Sequence, residues 1–369
     1  MRRDAGGANV MPLTARRATT QALVLAPFLA DADWAALQAA VQSGAEQLTL
    51  PCCEGGAYLR TSPRGLRHFA HLPNATVCET AKRETIEHLR AKAEIAWACQ
   101  ARGYAVTLEY PYGDWRADVY AEKEGDRRAF EVQWSAQTLA ETERRHARYQ
   151  RDGVRDCWFF RTLPPDYQPN GALPAFALSV DADESTGIQL RRQLGADLRA
   201  TEIYALGAFV GDLLTGQVRW CDHAHAHTVP DCEIVVFYTH CYRCRKAVYV
   251  YSVGNPLSAC GLEIRLSADQ RFKLGLDSAV RAVVHDFLTT PAGQRLSISV
   301  DGRHFQCGHC GTDQKDARII ELSERVRQGL GDVVACTRQP VTFTRPLTVA
   351  LPHWCYPREN NFCCNPYNS

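Results

Sequence analysis

The sequence predicts an α/β fold: a central mixed sheet flanked by helices, with an N-terminal Cys/His β-module and a C-terminal zinc-ribbon module. Three observations carry this. A long helical pattern at 81–103 precedes strand patterns at 104–110, 115–121 and 128–134, then a helix over Leu139–Gln150 and an apolar strand, Cys157–Arg161. A short Cys/His stretch lies before this block. Two Cys-x-x-Cys pairs lie after it.

With 369 residues, the chain has room for two or three domains. Hydrophobic residues at 46% and charged residues at 22% exclude a largely disordered chain. A net charge of +1 leaves no global field for nucleic acid, so any such binding must come from local patches. Sixteen Cys beside twelve His favour a reduced protein that spends thiolates on metal over a disulfide scaffold.

In order, residues 1–44 read as a loose Arg/Gly tail to residue 20, a strand at Leu23–Leu25, and a helix capped by Asp31 or Asp33 and ending at Gly44. The apolar run there is broken by Pro27 and too short to cross a bilayer, so the expectation is a cytoplasmic protein without a membrane partner. Residues 45–80 predict a Cys/His β-hairpin around Ser62-Pro63-Arg64-Gly65. Cys53, His68, His71 and Cys78 form a candidate zinc set, although Cys52 and Cys53 are adjacent and normally only one could face a metal. Residues 81–165 make the core, whose first helix carries Ile86, Leu89, Ala93, Ala96 and Trp97 on one stripe. A Pro-rich boundary at 162–174 opens a helical connector over 166–232, ending in the tract "CDHAHAH", read as an exposed polar loop. Residues 233–312 predict a zinc ribbon on Cys241, Cys244, Cys307 and Cys310, with a helical insertion near Ser278–Leu288. A helix at 315–330 and a tail complete 313–369; Cys355, Cys363 and Cys364 receive no role.

The chemistry concentrates in the core. Phosphodiester hydrolysis on a divalent ion needs converging carboxylates, and a β-hairpin can bring them from neighbouring strands. Asp118 and Glu131 fit those places, with Gln133 on the face of Glu131 by the period of two. Glu84, His88 and Lys92, spaced by four, would share one helical face bordering the apolar stripe. Taken singly, each of these is as well explained by a surface ion pair or a solvated helix face.

Together, "RETIEHLRAK", "WRADV", "FEVQWSAQT" and "RRHARYQRDGVRDCWFF" resemble the competence protein CoiA-like family, whose core is similar to the PD-(D/E)xK restriction-endonuclease fold. The pattern maps onto Glu84, His88 and Lys92; Arg116 and Asp118; Glu131, Gln133 and Ser135; and Arg145, Tyr149 and Trp158, with Thr85 where the family has Ser. "RHFAH…C" also resembles the family's N-terminal module, so the likeness spans roughly 45–161. It implies a nuclease acting on single- or double-stranded DNA. Mg²⁺ or Mn²⁺ would sit on Asp118 and Glu131, with Glu84 joining through water. Lys92 and Gln133 would orient water, and Arg116, Ser135, Arg145 and Tyr149 would lie toward nucleic acid, although Tyr149 and Trp158 taken alone read as core packing. It also makes Glu-x-Gln the family's own pattern, so Gln133 need not mark decay. Two rivals stand beside this: an inactive nuclease fold that only binds nucleic acid or a partner through the ribbon, and an assembly protein in competence or defence against foreign DNA, active only with a partner; a protein partner or a homo-oligomer is the expected association.

Overall fold

The computed structural model describes residues 12–72, 84–181, 186–194, 197–289, 298–357 and 362–364. The chain divides into two compact units, Met1–Val218 and Arg219–Ser369. No helix among the described residues is long and apolar enough to cross a membrane.

The first unit begins with a five-stranded antiparallel sheet in the order β2-β1-β3-β4-β5. Its strands are β1 (Thr14–Arg17), β2 (Leu23–Leu25), β3 (Leu48–Thr49), β4 (Gly56–Thr61) and β5 (Arg67–His71), with helix α1 (Asp31–Gln42) between β2 and β3. The expected loose tail is therefore partly a strand: Thr14 and Ala15 are buried and β1 pairs on both sides. Asp31 is not a cap. Ala30 is the N-cap residue without a side-chain bond, and the Asp31 carboxylate pairs with Arg67 of β5. The hairpin β4–β5 forms at the predicted turn, where Gly65 takes a positive φ of 84° that side chains resist.

A seven-stranded mixed sheet follows in the order β12-β11-β10-β9-β8-β7-β6. Helix α2 (Ile86–Ala101) leads into β6 (Ala105–Tyr112), β7 (Trp115–Lys123) and β8 (Asp126–Gln133), an antiparallel meander. Helix α3 (Leu139–Arg151) then crosses over so that β9 (Arg155–Phe160) lies parallel to β8. The Pro-rich passage is no boundary; it returns the chain to β10 (Ala175–Val180), parallel to β9 in the same sheet. The expected helical connector is mostly strand: β11 (Thr186–Leu194) and β12 (Asp197–Ala205) form a hairpin on this sheet, and among its described residues only α4 (Leu206–Leu214) is helical.

Strand alternation sorts the sheet into two faces. Phe130, Phe159 and Phe176 stack toward Phe209 of α4, which packs beside α2. Ala129, Trp158 and Phe160 face Tyr149 of α3. The α2 stripe is corrected at both margins. Trp97 is 42% exposed, its indole donating to the Pro27 carbonyl at 2.8 Å, while Lys92 is fully buried.

The second unit contains β13 (Arg219–His240), β14 (Ala247–Val253), α5 (Ala268–Gly275), α6 (Ser278–Thr289), β15 (Ser299–Val300), β16 (Phe305–Gln306), α7 (Asp316–Arg327) and β17 (Ala335–Cys355). β13 is the centre of a sheet ordered β14-β13-β17, paired with β17 through three irregularities in register. "CDHAHAH" is therefore not an exposed loop but part of β13, with Ala224, His225 and Ala226 buried. Cys221 and Cys364 form a disulfide, so the cysteines do not all serve metal.

One ion pair ties α3 to β9. His146 Nδ1 lies 2.8 Å from Asp156, which also accepts from Gln150 and from the Trp158 indole. The Asp156 hydrogen bond, opposed by burial, raises the His146 pKa. A raised imidazole pKa stabilises fully below the unfolded value of ~6.5 and loses that contribution as pH climbs through the folded pKa. His146→Gln should therefore cost about 1 kcal/mol more in urea unfolding on the acid side of that window than at alkaline pH. An equal cost at both ends would refute the charged pairing.

Candidate active site

The site starts at the N-terminus of α2. Thr85 is the N-cap, its hydroxyl accepting from the His88 amide at 3.3 Å. Thr in place of Ser thus keeps the one atom the position needs. Glu84 precedes the helix, and His88 and Lys92 lie one and two turns along it. His88 stacks on Trp134, ring planes 10° apart.

Lys92 is 2% exposed, and its ammonium is surrounded by acids. It pairs with Glu84 and Glu109, and with Asp118 Oδ1 at 2.9 Å. Burial alone would depress its pKa, but Asp118, Glu109 and Glu84 outweigh that and hold it well above the ordinary lysine value. Lys92 is therefore a fixed cation.

Glu109 is absent from the motif set, yet it belongs to this cluster. The two-residue turn at Gly113-Asp114 fixes Tyr112 opposite Trp115, and counting back puts position 109 across from 118. At Glu109 the backbone turns to a positive φ of 54°, and the pair 109/118 drops out of the ladder between its paired neighbours. Such a conformation costs about 1 kcal/mol or more for a side-chain-bearing residue. It accompanies a carboxylate that meets both Lys92 and Arg116, the latter at 3.1 Å.

The expected Asp118/Glu131 pair is divided between two helices. Asp118 uses Oδ1 for Lys92 and accepts the Val132 amide on Oδ2 at 2.9 Å, just past the last β7–β8 backbone pair. Glu131 is 2% exposed and is held by α3, accepting from Arg145 at 2.6 Å and from the Tyr149 hydroxyl. Burial, then the nearby Asp118 charge, push the Glu131 pKa up to about 8 against the pull of Arg145 and Tyr149. The donor atoms that converge within 4.8 Å of one another belong to Glu84, His88 and Asp118; Glu131 is not among them.

The remaining expected residues divide as follows. Gln133 donates its amide to the Ser135 carbonyl and hydroxyl, at 3.3 and 3.1 Å. Arg116, 47% exposed, is paired with Glu109. Tyr149 is fully buried beneath Trp115 and Trp158, so the expectation of a nucleic-acid contact there is corrected to a core role. Arg145 is spent on Glu131 and stacked over Trp158, 4.8 Å from the ring centroid.

A divalent cation suits this set. Three carboxylates face one buried lysine, and the Glu84 pKa is raised by burial and by Glu109 and Asp118 despite Lys92. The three carboxylates outnumber their two cations, Lys92 and Arg116, and their oxygens suit Mg²⁺ or Mn²⁺.

The two Cys sets singled out in the sequence lie elsewhere. In the second unit, Cys241–Cys310 and Cys244–Cys307 sulfurs are 3.8 and 3.6 Å apart, close to the ~3.8 Å edge of a tetrahedral zinc–thiolate site. Each pair sits on a knuckle closed by a left-handed residue, Arg245 in one and Gly311 in the other. In the first unit, Cys52, Cys53 and His71 converge, so adjacency does not keep one cysteine away. His68 is not part of that set; it is buried and donates to the Leu66 carbonyl. Cys78 lies outside the described residues.

With this geometry in place, the comparison with known families is specific. Residues 84–176, from Glu84 into β10, match the family described as competence protein CoiA, nuclease-like domain. No curated protein matches the chain.

Removing Lys92 should expose the charge balance. Lys92→Met leaves three partly buried carboxylates without this cation and should cost about 3 kcal/mol in chemical denaturation at neutral pH. The deficit should shrink as pH falls and the acids take up protons. A variant as stable as wild type would show that Lys92 does not hold the cluster.

Proposed function

We propose that this chain is a divalent-metal-dependent nuclease that hydrolyses DNA phosphodiester bonds in DNA processing or defence. The supporting observation is the convergence of Glu84, His88 and Asp118 around a permanently charged Lys92, within a segment that matches a nuclease-like family. Asp118, Glu84 and His88 would hold Mg²⁺ or Mn²⁺, which when bound lowers the pKa of water and offsets charge at phosphate. Lys92 supplies fixed positive charge and N–H donors but cannot accept a proton. Gln133, on the Glu131 face with its amide given to Ser135, takes no proton and stands apart from that water. Arg116 binds the phosphate from the half-exposed rim. Glu131 positions α3 against β8 through Arg145 and Tyr149. A zinc ion on Cys241, Cys244, Cys307 and Cys310 has a structural role, since a closed four-thiolate site leaves no open position.

A second reading, a nuclease fold that binds without cutting, draws on Glu131, whose carboxylate is already satisfied by Arg145 and Tyr149.

Cleavage separates the two. With Mg²⁺ or Mn²⁺ the purified chain should cut single- or double-stranded DNA. Asp118→Ala should abolish cutting, and Lys92→Ala should slow it by about 100-fold or more. Equal activity in wild type and Asp118→Ala would contradict the site. Metal-independent binding without cleavage under any divalent ion would establish the second reading.

A further inference from the structure

Beyond the ribbon, the second unit contains a group of donors that the sequence motifs do not assign. Cys260, His353, Cys355 and Cys363 place their ligand atoms within 4.8 Å of one another, and all four side chains are buried. None of the three cysteines is in a disulfide. We propose that these four residues form a second, structural Cys₃His zinc site.

The local structure around each donor supports coordination. Cys260 sits in a tight turn in which the Ser258 amide donates to the Leu262 carbonyl and the Leu262 amide donates to the Ser258 hydroxyl. Gly261 supplies the left-handed φ of 80° that the turn needs. His353 and Cys355 lie two apart on β17, so their side chains leave the same face of the strand. Cys363 comes from the last described segment, and its amide donates to the Cys355 sulfur at 3.4 Å, the N–H···S contact that supports a thiolate.

The imidazole is turned the way a ligand needs. His353 Nδ1 faces the Leu351 carbonyl at 2.8 Å and donates to it, so Nε2 is the nitrogen left to bind a metal, and it faces Cys260 Sγ at 3.4 Å. Zinc bonds of 2.0–2.3 Å in a tetrahedron put such a nitrogen and sulfur roughly 3.6 Å apart.

His225 then gains a role as a positioning residue. Its ring Nδ1 donates to the Cys363 carbonyl at 3.0 Å, and its own carbonyl accepts from the Ala259 amide at 2.9 Å. One buried histidine of β13 thus holds both loop-borne ligand segments, and the Cys221–Cys364 disulfide fixes the tail one residue away. Burial of every donor leaves no position for a reacting water, so the site is structural. This inference does not depend on the nuclease reading.

The test uses the full chain purified without added chelator, with zinc counted by elemental analysis. Cys260→Ser should lose one zinc per chain and keep the metal that Cys241→Ser loses. The double variant should lose both. His353→Cys retains four donors, so it should fold, and after Co²⁺ exchange its visible ligand-field spectrum should shift toward an all-thiolate centre. The proposal is overturned if Cys260→Ser keeps the wild-type zinc content, if His353→Cys leaves the Co²⁺ spectrum unchanged, or if peptide mapping of the zinc-replete protein finds Cys355 bonded to Cys363.

Discussion

Taking an ammonium group out of water is costly unless acids surround it, and the candidate site is organised around meeting that requirement for Lys92. Its partners come from three places: Glu84 ahead of α2, Glu109 on β6 and Asp118 on β7. Each element must be in register for the charges to meet. The helix start is fixed by Thr85, the hairpin by the turn at Gly113-Asp114, and the strained backbone at Glu109 by what its carboxylate touches. The same cluster that secures a buried lysine keeps an excess of negative charge at the mouth of a hairpin, which is what a divalent ion requires.

The opposing face shows what the second acid of the hairpin does in this fold. Glu131 joins β8 to α3 through Arg145 and Tyr149, and the aromatic packing of Trp115, Tyr149 and Trp158 closes around it. The fixed positive charge beside Asp118 comes from α2 rather than from β8.

Much of the core was legible because its signals are local. Gly103 and Gly153 end the two helices, and period-two alternation marks β7 and β8. Glu109 was recoverable by counting across a two-residue turn, but it lies outside every motif. Lys92 reads as a surface residue on any hydropathy pattern, and only tertiary pairing explains its burial. The β11–β12 hairpin reads as helix in the sequence because Leu190, Leu194 and Leu198 recur every four residues, a helical spacing, whereas the backbone pairs Leu194 with Asp197. The Cys260/His353/Cys355/Cys363 group was invisible because its ligands are separated by up to 103 positions in the chain (260 to 363) and only His353-x-Cys355 is a local pair. By contrast, the paired Cys-x-x-Cys knuckles announce themselves.

The most direct test of this account is anomalous diffraction from crystals of the chain grown with Mn²⁺. The charge balance around Lys92 predicts a single strong peak in the first unit, bounded by Glu84, His88 and Asp118, with Glu131 still bonded to Arg145 and Tyr149. A peak seated instead on Glu131, or no manganese at Asp118, would contradict it.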